Sequence, residues 1–287
     1  MKRELHERNR LSWNAATAAH NSHKGDQAAF FREGGSTLFP EERELLGDLS
    51  GRSLVHLQCN AGQDTLSLAR LGAGATGVDI SDEAISFAAR LSAESGIAAR
   101  FERADVYDWL EAAGREGRRF DVAFSSYGAI GWLSDLGAWG RGIAGVLAPG
   151  GRFVLVEFHP LIHTMDEAMR FVWPYAGGGE PIEVDEGIGD YVEQSGDALT
   201  HGAEYREGVV GFANPHPTVE FAWGLADVVT ALLEAGLVLE VLREYPYTNG
   251  WKVFDGMRPA PGRRYHTPEG TPDLPLMFAV VARKPGG

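Results

Sequence analysis

Between residues 53 and 156 short apolar runs alternate with segments of helical spacing, and this alternation leaves the chain few possible folds. Ser53-Leu54-Val55-His56-Leu57 reads as a short buried strand, and residues 64–71 carry apolar side chains at helical intervals. Residues 76–80 form a second strand. Ser81 then caps a helix over 82–92, with Glu83 in its first turn. Residues 99–103, 120–124 and 152–156 read as three more strands, the last entered through the turn Pro149-Gly150-Gly151. Strands separated by helices are joined by crossovers, which make neighbours parallel and cover both faces of the sheet. The pattern therefore predicts a doubly wound α/β fold. It resumes with a helix over 225–235, ended by Gly236, and strands over 237–243 and 276–282, giving a seven-stranded, mostly parallel sheet.

The segments outside this pattern suggest four parts. Residues 1–50 are polar and helical in character, a lid whose last helix begins at Pro40 with Glu41 and Glu42 in its first turn. Residues 51–158 are the first part of the α/β core, and 223–287 complete it. Residues 159–222 are rich in Gly, Pro, His and aromatics and have no strong helical period. A stretch that long without its own periodicity is expected to be a functional insertion, here one that covers the substrate. Its aromatic and histidine side chains include Trp173, Tyr175, Tyr191, His201, Tyr205, Phe212, His216 and Trp223.

Charge and cysteine content exclude several functions. With 26 Lys and Arg against 40 Asp and Glu, the formal net charge is −14. Such a surface repels phosphate backbones, so no nucleic-acid partner is expected. Cys59 is the only cysteine, which excludes an intrachain disulfide and a cysteine-based zinc site and fits a reducing cytoplasm. No apolar run approaches membrane-spanning length. A cytoplasmic protein with a small-molecule substrate, no membrane partner and possible homodimerisation is the expectation.

The chemistry concentrates in Val55-His56-Leu57-Gln58-Cys59-Asn60-Ala61-Gly62-Gln63-Asp64-Thr65-Leu66. A strand ends, a tight turn follows, and a helix begins near Asp64, so backbone N–H groups of the turn face a ligand at the carboxyl edge of the sheet. Asn60 and Gly62 tolerate the left-handed backbone that such a turn requires. Asp79 ends the second strand, where a carboxylate can accept both hydroxyls of a ribose. Asp105 follows the third strand, and its side chain with a neighbouring backbone N–H can read an adenine edge.

Taken together, this order resembles class I S-adenosylmethionine (SAM)-dependent methyltransferases over residues 40–158, and more loosely over 224–284. The resemblance places the glycine-rich first motif on His56 to Gly62, the ribose acid on Asp79 and the adenine acid on Asp105. The Leu147-Ala148-Pro149-Gly150-Gly151 turn and the C-terminal helix and strands are also family features. The cofactor set it implies is His56, Gln58, Asn60, Gly62, Asp64, Thr65, Asp79, Ile80, Asp105, Val106 and Ser125. The sequence departs from the pattern at His56, where many members carry an acid, and at Gln58 and Asn60, where they carry glycine. The methionine amino group is accordingly expected on Gln58 or a backbone carbonyl.

Methyl transfer mainly needs alignment and exclusion of water, with a base only when the acceptor carries its proton. The family places the fourth strand's end beside the transferable methyl, which makes Tyr127 a catalytic candidate and Ser126 and Trp132 substrate contacts. His159, after the fifth strand, is the candidate general base, because a histidine there can titrate near neutrality. His163, Tyr175 and Tyr191 are further substrate candidates. Glu157, His159 and His163 would also serve as metal ligands, but no metal is expected. The N-terminal residues Trp13, Asn14, His20, Asn21 and His23 resemble family segments that close over SAM. The leading expectation is methyl transfer to N, O or C of a small metabolite. Cyclisation of the aminobutyrate arm of SAM, releasing methylthioadenosine, and a non-catalytic SAM-binding subunit are the alternatives.

Overall fold

The computed structural model describes residues 1–196 and 205–286. Three helices precede the sheet: α1 (Arg3–Ser22), α2 (Gln27–Arg32) and α3 (Pro40–Leu46). The alternating part runs β1 (Ser53–Leu57), α4 (Gln63–Arg70), β2 (Gly74–Asp79), α5 (Asp82–Ser95), β3 (Arg100–Arg103), α6 (Val106–Arg115), β4 (Phe120–Ser126), α7 (Leu136–Val146) and β5 (Leu147–Phe158). The insertion then contributes β6 (Glu180–Val184), α8 (Tyr191–Ser195) and β7 (Thr218–Ala222). The chain finishes with α9 (Leu225–Glu234), β8 (Val238–Tyr245), the short strands β9 (Tyr247–Asn249), β10 (Arg258–Ala260) and β11 (Arg264–His266), and β12 (Met277–Arg283).

Seven strands form one sheet in the order β3-β2-β1-β4-β5-β12-β8. The first five are mutually parallel, and β12 runs antiparallel to both β5 and β8. The chain turns outward in two directions from β1, which puts a crevice above the carboxyl ends of β1 and β4. Residues 148–151 bulge out of β5: Phe120 pairs with Leu147, and Val122 already pairs with Arg152.

Alternation along the strands builds a core on each face. Val55, Leu57, Phe153 and Leu155 point toward α6, α7 and α9, where Trp139 is fully buried. Leu54, Phe124, Val154 and Val156 point the other way, onto α3 and α4 through Leu45, Leu46 and Leu68. Side chains buried on both faces are what a covered parallel sheet requires. Helix starts along the chain carry side-chain caps. Asp26, Ser81, Asp105 and Asp135 accept backbone N–H groups of Ala29, Ala84, Tyr107 and Ala138 at 2.8, 3.1, 2.9 and 2.8 Å.

Two features differ from the sequence reading. The stretch 159–222, which shows no strong helical period in sequence, holds a two-stranded β6–β7 ribbon and α8. A second excursion, the β10-β11-β9 sheet, lies between β8 and β12, inside the part read as plain α/β core. Its strands are three residues each, too short to leave a period in the sequence.

Candidate cofactor and acceptor site

The loop after β1 is built from left-handed residues. Gln58, Asn60 and Gly62 have φ of 55°, 48° and 79°, so every second residue takes a conformation usually reserved for glycine. Gly62 has no alternative. A Cβ there would lie 2.6 Å from Ala88 Cβ and 2.7 Å from the Phe101 ring. Asn60 offsets part of its own strain, since its Oδ1 accepts the N–H of Ala61 at 2.6 Å. The loop thus keeps a glycine-rich backbone path although two of its three left-handed positions carry side chains.

Asp79 faces this loop from the end of β2. Its Oδ2 accepts the N–H of Asn60 and its Oδ1 that of Ser81, each at 2.8 Å. Burial pushes its carboxyl upward, and the hydrogen bonds from Ser81, Asn60 and Ile80 work against that. The carboxylate is therefore aimed and partly solvated, with acceptor capacity left for hydroxyls. Gln58 donates through Nε2 to the Ala129 carbonyl at 2.7 Å, while its buried Oε1 has no partner among the described residues. The Ser125 hydroxyl, at the end of β4, is likewise buried without one. An orphaned amide oxygen beside the loop is what an incoming ammonium needs, so these residues fit the methionine end of SAM.

Asp105 caps α6 through Oδ1 and meets His6 of α1 through Oδ2, at 2.6 Å from His6 Nδ1. The other ring nitrogen of His6 lies 2.7 Å from Ser134 Oγ. Burial opposes the Asp105 charge, but the bonds from His6 and from the helix cap outweigh it and hold the carboxyl below its usual range. Val106, the first residue of α6, packs into the core below. Asn14 of α1 accepts the Ser81 hydroxyl at 2.7 Å. The lid helix is thus tied to both acid-bearing strand ends.

His56 does not reach toward a ligand as an acid would. It is buried against Phe124, with Nδ1 2.9 Å from Thr65 Oγ1, and burial alone drops its pKa to about 3. It supports α4 from below as a neutral ring. Asp64, in the first turn of α4, accepts the Thr37 hydroxyl at 2.5 Å.

Several insertion and lid residues converge over the loop. Tyr191 lies near Asn60, and its ring is 4.1 Å from that of His20. Trp13 meets Trp132 edge-on at 5.6 Å. His23 contacts Asp190 at 3.1 Å, and with Glu193 these side chains form a compact group. Backbone N–H groups already occupy it: Gly208 on His23 Nδ1, Val192 and Glu193 on Asp190, and Gly211 on Glu193. It fastens the insertion to the end of α1. His201 lies outside the described residues.

Tyr127 follows β4 and also has a left-handed backbone, φ 35°. Its ring lies between Phe39 at 5.9 Å and Phe158 at 5.5 Å, and its hydroxyl accepts from Asn249 Nδ2 at 3.0 Å. Burial, with the Glu42 charge second, pushes the phenol well above its usual value. It stays protonated and does not act as a base. Ser126 is half-buried at the same strand end.

Two sequence assignments require correction. His159 is not available as a general base: the Leu161 N–H donates to its Nδ1 at 3.1 Å, so Nε2 carries the proton and donates to Glu244 at 3.0 Å. The strand end brought it to the right edge, but its ring turns toward β8. Tyr175 does not line the cleft either. Its hydroxyl accepts the Leu225 N–H at 3.3 Å, at the start of α9. Glu157 is also committed, accepting the N–H groups of Gly128, Ala129, Ile130 and Phe158 and so shaping the loop after β4. His163 is exposed beside Trp251, whose ring stacks edge-on with Phe158 at 4.7 Å.

Sequence reasoning missed the groups that arrive from distant elements. Glu41 and Glu42 read as first-turn acids of α3, yet both are buried. Glu41 accepts from the Tyr247 hydroxyl at 2.7 Å, from Asn249 Nδ2 at 3.1 Å and from Arg264. The helix-start signal was visible at Pro40, but burial depended on the unrecognised β9–β11 sheet.

Comparison with known proteins agrees with this geometry. Residues 55–151 match the family model described as a methyltransferase domain. The SAM-dependent methyltransferase from Mesorhizobium loti superposes with TM-score 0.52 at 20% identity, covering 88% of this chain and 99% of that one. The CcbJ methyltransferase from Streptomyces caelestis superposes with TM-score 0.56 at 14% identity, covering 96% and 98%. No curated protein matches the sequence. The matched methyltransferase domain lies inside the seven-stranded sheet, and the chain shares its fold with these two methyltransferases. No helix of the described residues is long and apolar enough to cross a membrane.

Proposed function

We propose that the protein transfers the methyl group of SAM to a small molecule enclosed between the sheet edge, the N-terminal lid and the insertion. The observation that carries this reading is the enclosure itself. α1 is bonded to Asp105 and Ser81, and Tyr191 of the insertion packs on His20 of α1, so two segments of the same chain roof the crevice. A roof of this kind excludes water and favours a small acceptor over a polymer. The net charge of −14 also disfavours a nucleic-acid acceptor.

In this reading Asp79 holds the ribose, Asp105 with the start of α6 reads the adenine, and Gln58 Oε1 takes the amino group. SAM supplies a methyl carbon bonded to a positively charged sulfur. The protein aligns the acceptor with that carbon, and Glu157 and Tyr127 fix the wall of the loop after β4 where the acceptor sits.

The test is incubation of the pure protein with methyl-labelled SAM and either the small-molecule or the macromolecular fraction of a cell extract. S-adenosylhomocysteine formed only with the small-molecule fraction is the expected result. Product formation only with the macromolecular fraction would overturn the acceptor class, and methylthioadenosine as the nucleoside product would favour cyclisation of the aminobutyrate arm.

A further inference from the structure

Glu42 Oε2 accepts the N–H of Phe39 at 2.5 Å, closing the cap of α3, whereas Glu42 Oε1 is buried with no partner among the described residues. Asn249 Oδ1, brought in by β9, is in the same state, and its Nδ2 bridges Glu41 and the Tyr127 hydroxyl. The two residues are 0% and 3% exposed. Asn249 Oδ1 is an acceptor, Glu42 Oε1 is one when its carboxyl is ionised, and both side chains are grouped around Tyr127 at the end of β4. Buried polar atoms without partners are rare, and a matched pair of acceptors implies a ligand rich in N–H donors.

Charge points the same way. The groups around Glu42 are Glu41 on α3, Asp64 on α4 and Tyr127 after β4. Burial, then Asp64 and Glu41, push the Glu42 carboxyl well above its usual range. Of the nearby cations, Arg264 is bonded to Glu41, and Lys24 interacts with Asp64. A cation arriving at Glu42 opposes the effect of burial and favours the ionised carboxylate.

We propose that the acceptor is a small amine, held as its ammonium by Glu42 Oε1 and Asn249 Oδ1, with Glu42 taking its proton. The inference rests on the methyl-transfer reading above and narrows it to nitrogen. An ammonium has no lone pair, so one N–H proton passes to Glu42. The freed pair forms the new N–C bond, the C–S bond breaks, and its electrons stay on sulfur. The products are the N-methylated ammonium and S-adenosylhomocysteine, and the proton on Glu42 leaves to solvent.

The experiment is calorimetry on the S-adenosylhomocysteine complex with benzylamine, cyclohexylamine and pyrrolidine, against benzyl alcohol, cyclohexanol and tetrahydrofuran. Titrations in two buffers of different ionisation enthalpy count protons. At least one amine is expected to bind about 10–100-fold tighter than its neutral counterpart, with proton release. Glu42→Gln is expected to abolish both differences, leave S-adenosylhomocysteine affinity unchanged, and slow methyl transfer to that amine by about 10²–10⁴. The comparison of amine with neutral probe on the native protein stands even if the variant folds poorly.

Equal binding of amines and neutral probes, or failure of every amine to bind, overturns the proposal. So does weakened S-adenosylhomocysteine binding in folded Glu42→Gln, which would assign Glu42 to the cofactor's own amino group. In each of these cases intact cofactor binding by the native protein leaves the methyltransferase reading standing.

Discussion

His56 shows how one substitution in a motif changes the physics of its position. A carboxylate there would be charged at neutral pH, whereas the imidazole is neutral, sealed against Thr65 and Phe124. Burial lowers its pKa from 6.5 to about 3, so the folded protein refuses a proton that the unfolded chain binds below pH 6.5. Its contribution to stability is complete above 6.5 and is lost as pH falls toward 3. Between pH 7.5 and pH 5 that loss is about 2 kcal/mol. Urea unfolding at both pH values should show a pH dependence smaller by that amount in His56→Gln. An unchanged dependence would mean that His56 is protonated in the fold. At this scale Asp79 and Asp105 were legible because a strand end fixes where a residue stands. His159 was misjudged because the strand end does not fix which way a ring turns, and here the Leu161 N–H turns it toward Glu244.

Among the elements, α1 is the one whose character the sequence concealed. Its buried face is polar, including His6, Asn9, Ser12 and His20, so it reads as a solvated helix when only apolar periodicity is considered. Each of these residues finds a partner far along the chain. Asn9 exchanges hydrogen bonds with both backbone groups of Val219, at 2.8 Å each, and so extends the edge of β7. Ser12 accepts the Ile188 N–H at 3.0 Å. His6 is the link from this helix to Asp105, and its loss loosens the lid at that strand end. His6→Ala is expected to speed dissociation of S-adenosylhomocysteine about tenfold in stopped-flow measurements, at the scale of one hydrogen bond to a charged group. An unchanged off-rate would show that α1 does not restrain the cofactor. The α/β elements were legible because each spans enough residues to show its period. The strands β9 to β11 are not, and with them went Asn249 and the burial of Glu41 and Glu42.

At the scale of the molecule, two cores of opposite facing hold a sheet whose active edge is formed by turns and roofed by α1 and the insertion. The sheet and the acids at its strand ends follow from local sequence, whereas the polar group around Tyr127 is assembled from residues more than a hundred positions apart, such as Glu41 and Asn249. The whole account depends on the crevice being a nucleoside site anchored at Asp79. The most direct test is calorimetric titration of S-adenosylhomocysteine into the native protein and Asp79→Ala. Loss of an acceptor that makes two hydrogen bonds from a charged group predicts binding weaker by about 2–4 kcal/mol in the variant. Equal affinity in both proteins, or no binding to the native one, would contradict the account.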